Sequence, residues 1–258
     1  FDYLKYDWCS YSSVAEGTNA QDRAMRPFAL MGRALRGQRR DIFFSANGAS
    51  PQWADALGVN CWRTETDIRP FWCTVANAVD KEVRLEKYAG PGHWNDLDMM
   101  LVGQVGFGSC ACPSYLTPNE QYSHISYWTL LCAPMLLGCD LAKLDEFTRR
   151  LLTNDEVIEI HQDPLGRQAS RVWKSGAVEV WSKDLEDGSI AVGLFNRGLV
   201  PETVTLDFGW LQVEGKFRIR DVWRQEDQGI FCPTCGTSFS TELLGHGVRL
   251  VRLYPVGR

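Results

Sequence analysis

Two short stretches carry side chains that could do chemistry together. FDYLKYDWC, residues 1–9, holds Lys5 and Asp7; CWRTETDI, residues 61–68, holds Arg63, Glu65 and Asp67. Alternate residues of an extended strand share a face, so Tyr3, Lys5 and Asp7 point one way and Leu4, Tyr6 and Trp8 the other. The same alternation puts Arg63, Glu65 and Asp67 on one face. Two carboxylates at neighbouring strand ends suit cleavage of a glycosidic bond, one ionised and attacking, the other protonated and donating. Lys5 beside Asp7 would favour its charged form. Each stretch also has a plainer reading: Lys5 and Asp7 as a structural ion pair, Arg63 and Asp67 as a pair that fixes a strand end. Glu65, a third acid on the second face, would raise the pKa of Asp67 or compete for its role.

The elements that must position these groups read as strand–loop–helix units. Residues 1–8 form a strand. Residues 19–36 have a helical apolar stripe with Gly37 as its stop, and Pro27, which belongs in a first turn, moves the expected start beyond Asn19. Residues 41–45 form the next strand, and Ser50-Pro51 opens a helix over PQWADAL. A strand over 61–68 and a helix over 71–86 follow. The stretch AGPGHWNDLDMM starts a polar strand in which Asn95, Asp96 and Asp98 fix loop geometry by hydrogen bonds. Residues 107–118 are a loop rich in Gly, Cys and Pro. Thr117-Pro118-Asn119-Glu120 starts a long apolar helix on which His124 reads as a packing residue. Met135–Asp140 reads as a buried strand and residues 144–161 as a closing helix. From about Arg167 the pattern changes to short alternating strands, an antiparallel β domain. The division is 1–166 and 167–258.

Composition narrows the function. With 258 residues, 45% hydrophobic and 23% charged, the chain is globular rather than disordered. A net charge of −5 argues against nucleic acid and anionic membranes as partners. Ten tryptophans and twelve phenylalanines suit a neutral ligand with C–H faces, such as a sugar, although most must be core. Nine cysteines cannot all pair internally. Cys132 and Cys139 lie in apolar runs and read as buried thiols. Cys232-Pro-Thr-Cys235 lacks a second ligand pair, so a turn, with or without a local disulfide, is preferred over zinc.

Five blocks taken in order, YLKYDWC, CWRTETDI, AGPGHWNDLDMM, LTPNEQY…APMLLGCDL and VIEIHQDPLGRQ, resemble the melibiase-type α-galactosidases, glycoside hydrolase family 27. The resemblance covers roughly residues 1–170 and continues more loosely beyond. It implies an α/β fold: the C-terminal portion, about five βα units, of a TIM barrel, followed by a small antiparallel β-sandwich. It implies a retaining exo-glycosidase acting on terminal α-D-galactosyl residues, with Asp7 as nucleophile and Asp67 as general acid/base. Lys5 and Arg63 match residues that hold sugar hydroxyls. Trp62, Asp98 and Met99 match positions in or just behind the pocket. Cys9 matches a cysteine that in relatives often pairs with one further upstream. No metal and no organic cofactor is implied, and the partner is a small galactoside or oligosaccharide.

Three departures limit the carry-over. Phe1 already lies inside a strand, which implies a fragment whose first three barrel strands lie upstream; the 258-residue piece alone is then expected to have little activity. SANGAS, residues 45–50, stands where many relatives have a Cys-Glu-Trp segment, and Asn47 falls near the position that sorts galactose from N-acetylgalactosamine. Glu65-Thr66 replaces what is often Thr-Gly. The alternatives are therefore the same chemistry on a β-L-arabinopyranoside, an α-N-acetylgalactosaminide or an α-glucan, or a non-catalytic sugar-binding homologue. Compartment and oligomeric state are open, with the resemblance leaning toward a secreted or periplasmic protein.

Overall fold

The structure is a computed structural model that describes residues 1–106 and 110–257. Four strands, β1 (Tyr3–Tyr6), β2 (Phe43–Ala46), β3 (Cys61–Arg63) and β4 (Trp94–Asp96), form a parallel sheet in chain order. A parallel bridge from Met100 to Leu137 continues the arc. That bridge and an antiparallel one from Val105 to Cys139 are what forms, among the described residues, of the strand expected over Met135–Asp140. Tyr6 and Trp8 pack outward against the cluster around Phe28, Phe44 and Trp62, as the alternation requires.

Helix α1 (Ala20–Arg36) links β1 to β2. It begins before Pro27, not after it: the Asn19 side chain caps the Asp22 N–H at 2.9 Å, and the apolar face carrying Phe28 and Gly32 is buried. The cap and that burial outweigh the hydrogen bond lost at Pro27. The helix expected over PQWADAL is instead a turn with a short 3₁₀ segment, Asp55–Leu57, ended by Gly58 in a left-handed conformation. Helix α2 (Trp72–Glu82) links β3 to β4 and stops earlier than expected.

A two-residue ribbon, β5 (Gln104–Val105) with β6 (Cys112–Pro113), interrupts the Gly/Cys/Pro-rich loop; its residues 107–109 lie outside the described residues. Helix α3 (Pro118–Leu130) begins with a capping box, Thr117 and Glu120 each closing on the other's backbone N–H, with Pro118 in the first turn. The expected closing helix is two, α4 (Glu146–Leu152) and α5 (Asp155–His161), because Asn154 caps a new start.

The antiparallel part has eight strands: β7 (Ser170–Ser175), β8 (Val178–Asp184), β9 (Ile190–Asn196), β10 (Glu202–Leu206), β11 (Lys216–Asp221), β12 (Glu226–Phe231), β13 (Phe239–Leu243) and β14 (Val248–Val256). Six form one sheet in the order β12-β11-β14-β9-β8-β7, and β10 pairs with β13. One face of the large sheet packs with that pair through Val192, Leu194, Leu206 and Phe239. The other face, with Trp181, Ala191, Phe195 and Leu250, shares a core with Ile125, Tyr127 and Trp128 of α3. Every residue of β9 is therefore buried, which erases the polar alternation expected of a surface strand. The Tyr127 ring stacks on Phe195 with centroids 3.7 Å apart, adding about 1 kcal/mol to the burial. Cys232 and Cys235 form the local disulfide. His124 is wholly buried, accepts the Leu101 N–H at 3.1 Å, and is held neutral by burial, its pKa lowered to about 3.

Glu82, the last residue of α2, is fully buried behind the sheet. Gln168 donates to its Oε2 at 3.1 Å, while Oε1 has no hydrogen-bond partner among the described residues. Burial pushes this carboxyl from 4.5 up to about 7, against the pull of the nearby Thr64, Gln168 and Asn95 side chains. The folded pKa is the higher one, so the stability contribution is full below about pH 4.5 and is lost as pH rises through 7. The loss is on the order of 3 kcal/mol. Glu82→Gln should leave the melting temperature close to wild type at pH 4.5 and raise it at pH 8. An equal shift at both pH values in thermal melts would refute this account of Glu82.

Candidate active site

The chemistry-bearing residues sit at or just past the C-terminal ends of the parallel strands, where a barrel of this type places its loops. Asp7 follows β1 directly. Its Oδ1 accepts two hydrogen bonds, from the Trp8 N–H at 2.9 Å and from Asn47 Nδ2 at 2.8 Å. Asn47 is placed by the β1–β2 pairing, its own N–H donating to the Tyr6 carbonyl at 2.9 Å. Among the described residues Asp7 Oδ2 takes part in no hydrogen bond.

Lys5 does not pair with Asp7. Its ammonium lies 3.1 Å from Asp96 Oδ2, on β4, and Asp96 is fully buried. The expected Lys5 contact is thus redirected: a buried carboxylate attracts the cation more strongly than an exposed one screened by water. The other oxygen of Asp96 accepts the Asp98 N–H at 2.8 Å. Asp98 has φ of 82°, an uncommon left-handed conformation for a side chain other than glycine. That turn aims its carboxylate at Arg63 NH2, 2.9 Å away, and at the Ile68 N–H, 3.1 Å away. Burial pushes Asp98 above the ordinary range; Arg63 and the N–H groups of Met99 and Ile68 pull the other way, and Asp96 adds to the rise. The hydrogen bonds of Asp96 and Asp98 thus fix the loop, while the Asn95 side chain bonds to Trp62, Leu85 and Gln168.

Arg63 also reaches Asp67, with NH2 to Oδ1 at 3.2 Å. The Arg63 side chain is 5% exposed and that of Asp67 86%, so a buried cation holds an acid that faces solvent. Strand β3 ends at Arg63, and the loop that follows breaks the alternation expected through residue 68. Glu65 turns to Lys81 of α2, with Nζ to Oε2 at 2.6 Å, and accepts the Thr66 N–H at 2.7 Å. Burial would raise Glu65, but Lys81 and the two Thr66 donors outweigh it and hold the carboxyl below its usual range. Glu65 is therefore held as an anion against Lys81.

An open cleft of about 480 Å³ is lined by Asn47, Gly48, Arg63, Glu65, Asp67 and Lys81, among others. Asn47 joins this cleft to Asp7 through its 2.8 Å hydrogen bond. Trp62 and Met99, expected in or just behind the pocket, do not line this cleft. Trp62 is fully buried on the outer face of β3 and donates to Asn95 Oδ1 at 2.8 Å, so it backs the sheet instead of lining the cleft. Met99 lines a separate cavity of about 430 Å³ with Leu137 and Cys139. Cys9 is exposed and forms no disulfide among the described residues. Lys81 was not foreseen as a cleft residue. The only local signal for it was the surplus carboxylate at Glu65, which needed a cation from somewhere.

Residues 1–163 match the family described as Alpha galactosidase A, and residues 175–253 match the Alpha galactosidase C-terminal beta sandwich domain. The chain is 35% identical to a probable alpha-galactosidase of Dictyostelium discoideum, covering 98% of this chain and 63% of that protein. It is 37% identical to the alpha-galactosidase of Cyamopsis tetragonoloba, covering 98% and 58%. Among solved structures, alpha-galactosidase I from Mortierella vinacea aligns with a TM-score of 0.86 at 26% identity over 98% of this chain and 68% of that one. A GH27 β-L-arabinopyranosidase from Geobacillus stearothermophilus aligns with a TM-score of 0.85 at 27% identity over 100% and 59%. The chain thus spans less than two thirds of the curated relatives it matches. The parallel arc is a stretch of a TIM barrel, the antiparallel part is its C-terminal β-sandwich, and the chain belongs to the melibiase family of α-galactosidases, glycoside hydrolase family 27.

Proposed function

We propose that the protein carrying this chain is a retaining exo-glycosidase that removes terminal α-D-galactosyl residues, with Asp7 as nucleophile and Asp67 as general acid/base. The observation that carries this reading is the state of Asp7. One of its oxygens is fixed by Trp8 and by Asn47, which lines the cleft that holds Asp67, and the other takes part in no hydrogen bond among the described residues. Asp7 Oδ2 attacks the anomeric carbon and the bond to the leaving oxygen breaks. Asp67 gives its proton to that oxygen, then takes one from water as the water displaces Asp7. The retaining route works with carboxyl groups about 5–5.5 Å apart. Lys5 and Arg63 present N–H donors to sugar hydroxyls while their carboxylate partners hold them in place. Asp98 sets Arg63 from behind.

A second reading, the same chemistry on a β-L-arabinopyranoside, is favoured by the likeness to the Geobacillus β-L-arabinopyranosidase. Asn47 supports keeping it, because it touches both Asp7 and the cleft.

Asp7→Asn should abolish turnover of nitrophenyl α-galactoside; unchanged turnover would remove the hydrolase reading. Asp67→Ala should slow substrates with poor leaving groups by roughly 10²-fold or more and activated nitrophenyl substrates much less. Asn47→Ala removes a hydrogen bond to a charged group and should lower kcat by about tenfold or more. A panel of nitrophenyl glycosides separates the two sugars: preference for the arabinopyranoside would replace the first reading with the second.

A further inference from the structure

Lys183 and Cys132 form a pair that the sugar site does not use. Lys183 lies on β8, two residues after Trp181 and on the same face, turned toward α3. Cys132 lies two residues past the end of α3, in a left-handed conformation with φ of 53°. Both are buried, 3% and 6% exposed. Lys183 Nζ stands 3.1 Å from Cys132 Sγ, and the thiol donates to the Arg167 carbonyl at 3.1 Å. Among the described residues no carboxylate oxygen pairs with Nζ within 4.0 Å. A buried amine or ammonium requires a partner, and here that partner is sulfur. Cys132 also lines a cavity of about 440 Å³ with Pro134, His161 and Asp163, wide enough to admit a molecule the size of water or peroxide.

We propose that this pair is a modification site at which a peroxide oxidises Cys132 and Lys183 captures the product as a sulfur–nitrogen cross-link between the barrel arc and the sandwich sheet. Sγ attacks a peroxide oxygen and the O–O bond breaks. With hydrogen peroxide one water is released, and Cys132 becomes a sulfenic acid, its sulfur oxidised by two electrons. Lys183, having passed one ammonium proton to water in the cavity, puts its nitrogen lone pair on sulfur. The S–N bond forms, the S–O bond breaks, and the hydroxide leaves as water with a proton from nitrogen. Thiol, amine and one hydrogen peroxide give the sulfenamide and two waters.

Burial pushes the Cys132 thiol up and Lys183 only partly offsets it, so the first step is slow and draws on an excess of oxidant. The second step is fast by proximity, because the amine is already in contact with the sulfur.

The chain is treated with millimolar hydrogen peroxide, alkylated, digested with trypsin and read by mass spectrometry. The expected product is the Cys132 peptide joined to the Lys183 peptide, two hydrogens lighter than their sum, uncut after Lys183 and released by dithiothreitol. Lys183→Arg should abolish the joined pair and leave Cys132 to advance to sulfinic acid. The proposal is overturned if wild-type Cys132 is recovered only as alkylated thiol or as sulfinic acid, or if the joined species has gained an oxygen. The decisive measurement is on the wild-type chain, so it does not depend on a variant folding.

Discussion

Two cations hold the strand ends together. Lys5 binds Asp96, Asp96 binds the backbone of Asp98, Asp98 binds Arg63, and Arg63 binds Asp67. This chain of contacts runs from β1 across β4 to the loop after β3. Asp96 and Asp98 are buried, and an isolated buried carboxylate would be expensive to keep charged. Each is instead satisfied by a cation and by backbone N–H groups, and the paired geometry fixes the donors that face the cleft. Removing one member would leave a buried charge without its partner, so the network behaves as one unit.

The outward side of the same strands explains why the network stays in register. Trp62 and Asn95 meet behind the sheet, and Asn95 passes the contact to Gln168 and so to Glu82. Alternation then forces Arg63 and Asp96 to the opposite face. Lys81 and Glu82 are neighbours at the end of α2, yet one ties down the loop at Glu65 and the other closes the buried network. The helix end therefore reaches both sides of the site.

Much of this was legible in the sequence. Alternation in residues 1–8 placed strand β1 and turned Tyr6 and Trp8 to the buried cluster, and the capping pattern at Thr117 placed the start of α3. The switch to short alternating strands located the antiparallel part. What could not be read was partner choice. Lys5 lies two residues from Asp7, but its partner is 91 residues away, selected by burial and not by spacing. Glu65 was assigned a face by an alternation that ended with β3 at Arg63. Pro27 argued against a helix start that a cap and a buried face then secured. In each case a tertiary contact outweighed a local rule.

The six-stranded sheet is a party wall. One side roofs the sandwich core; the other is the surface against which α3 is buried. Just past β9, Arg197 meets Asp80 at 2.9 Å and the Ala76 carbonyl at 3.0 Å on α2, the helix that also anchors the loop after β3 through Lys81 and Glu65. Exchanging the sandwich between relatives would therefore not be a swap of an independent attachment. A grafted wall would have to bring its own match for α3 and for the C-terminal turn of α2, or the loop after β3 would lose the footing that α2 provides.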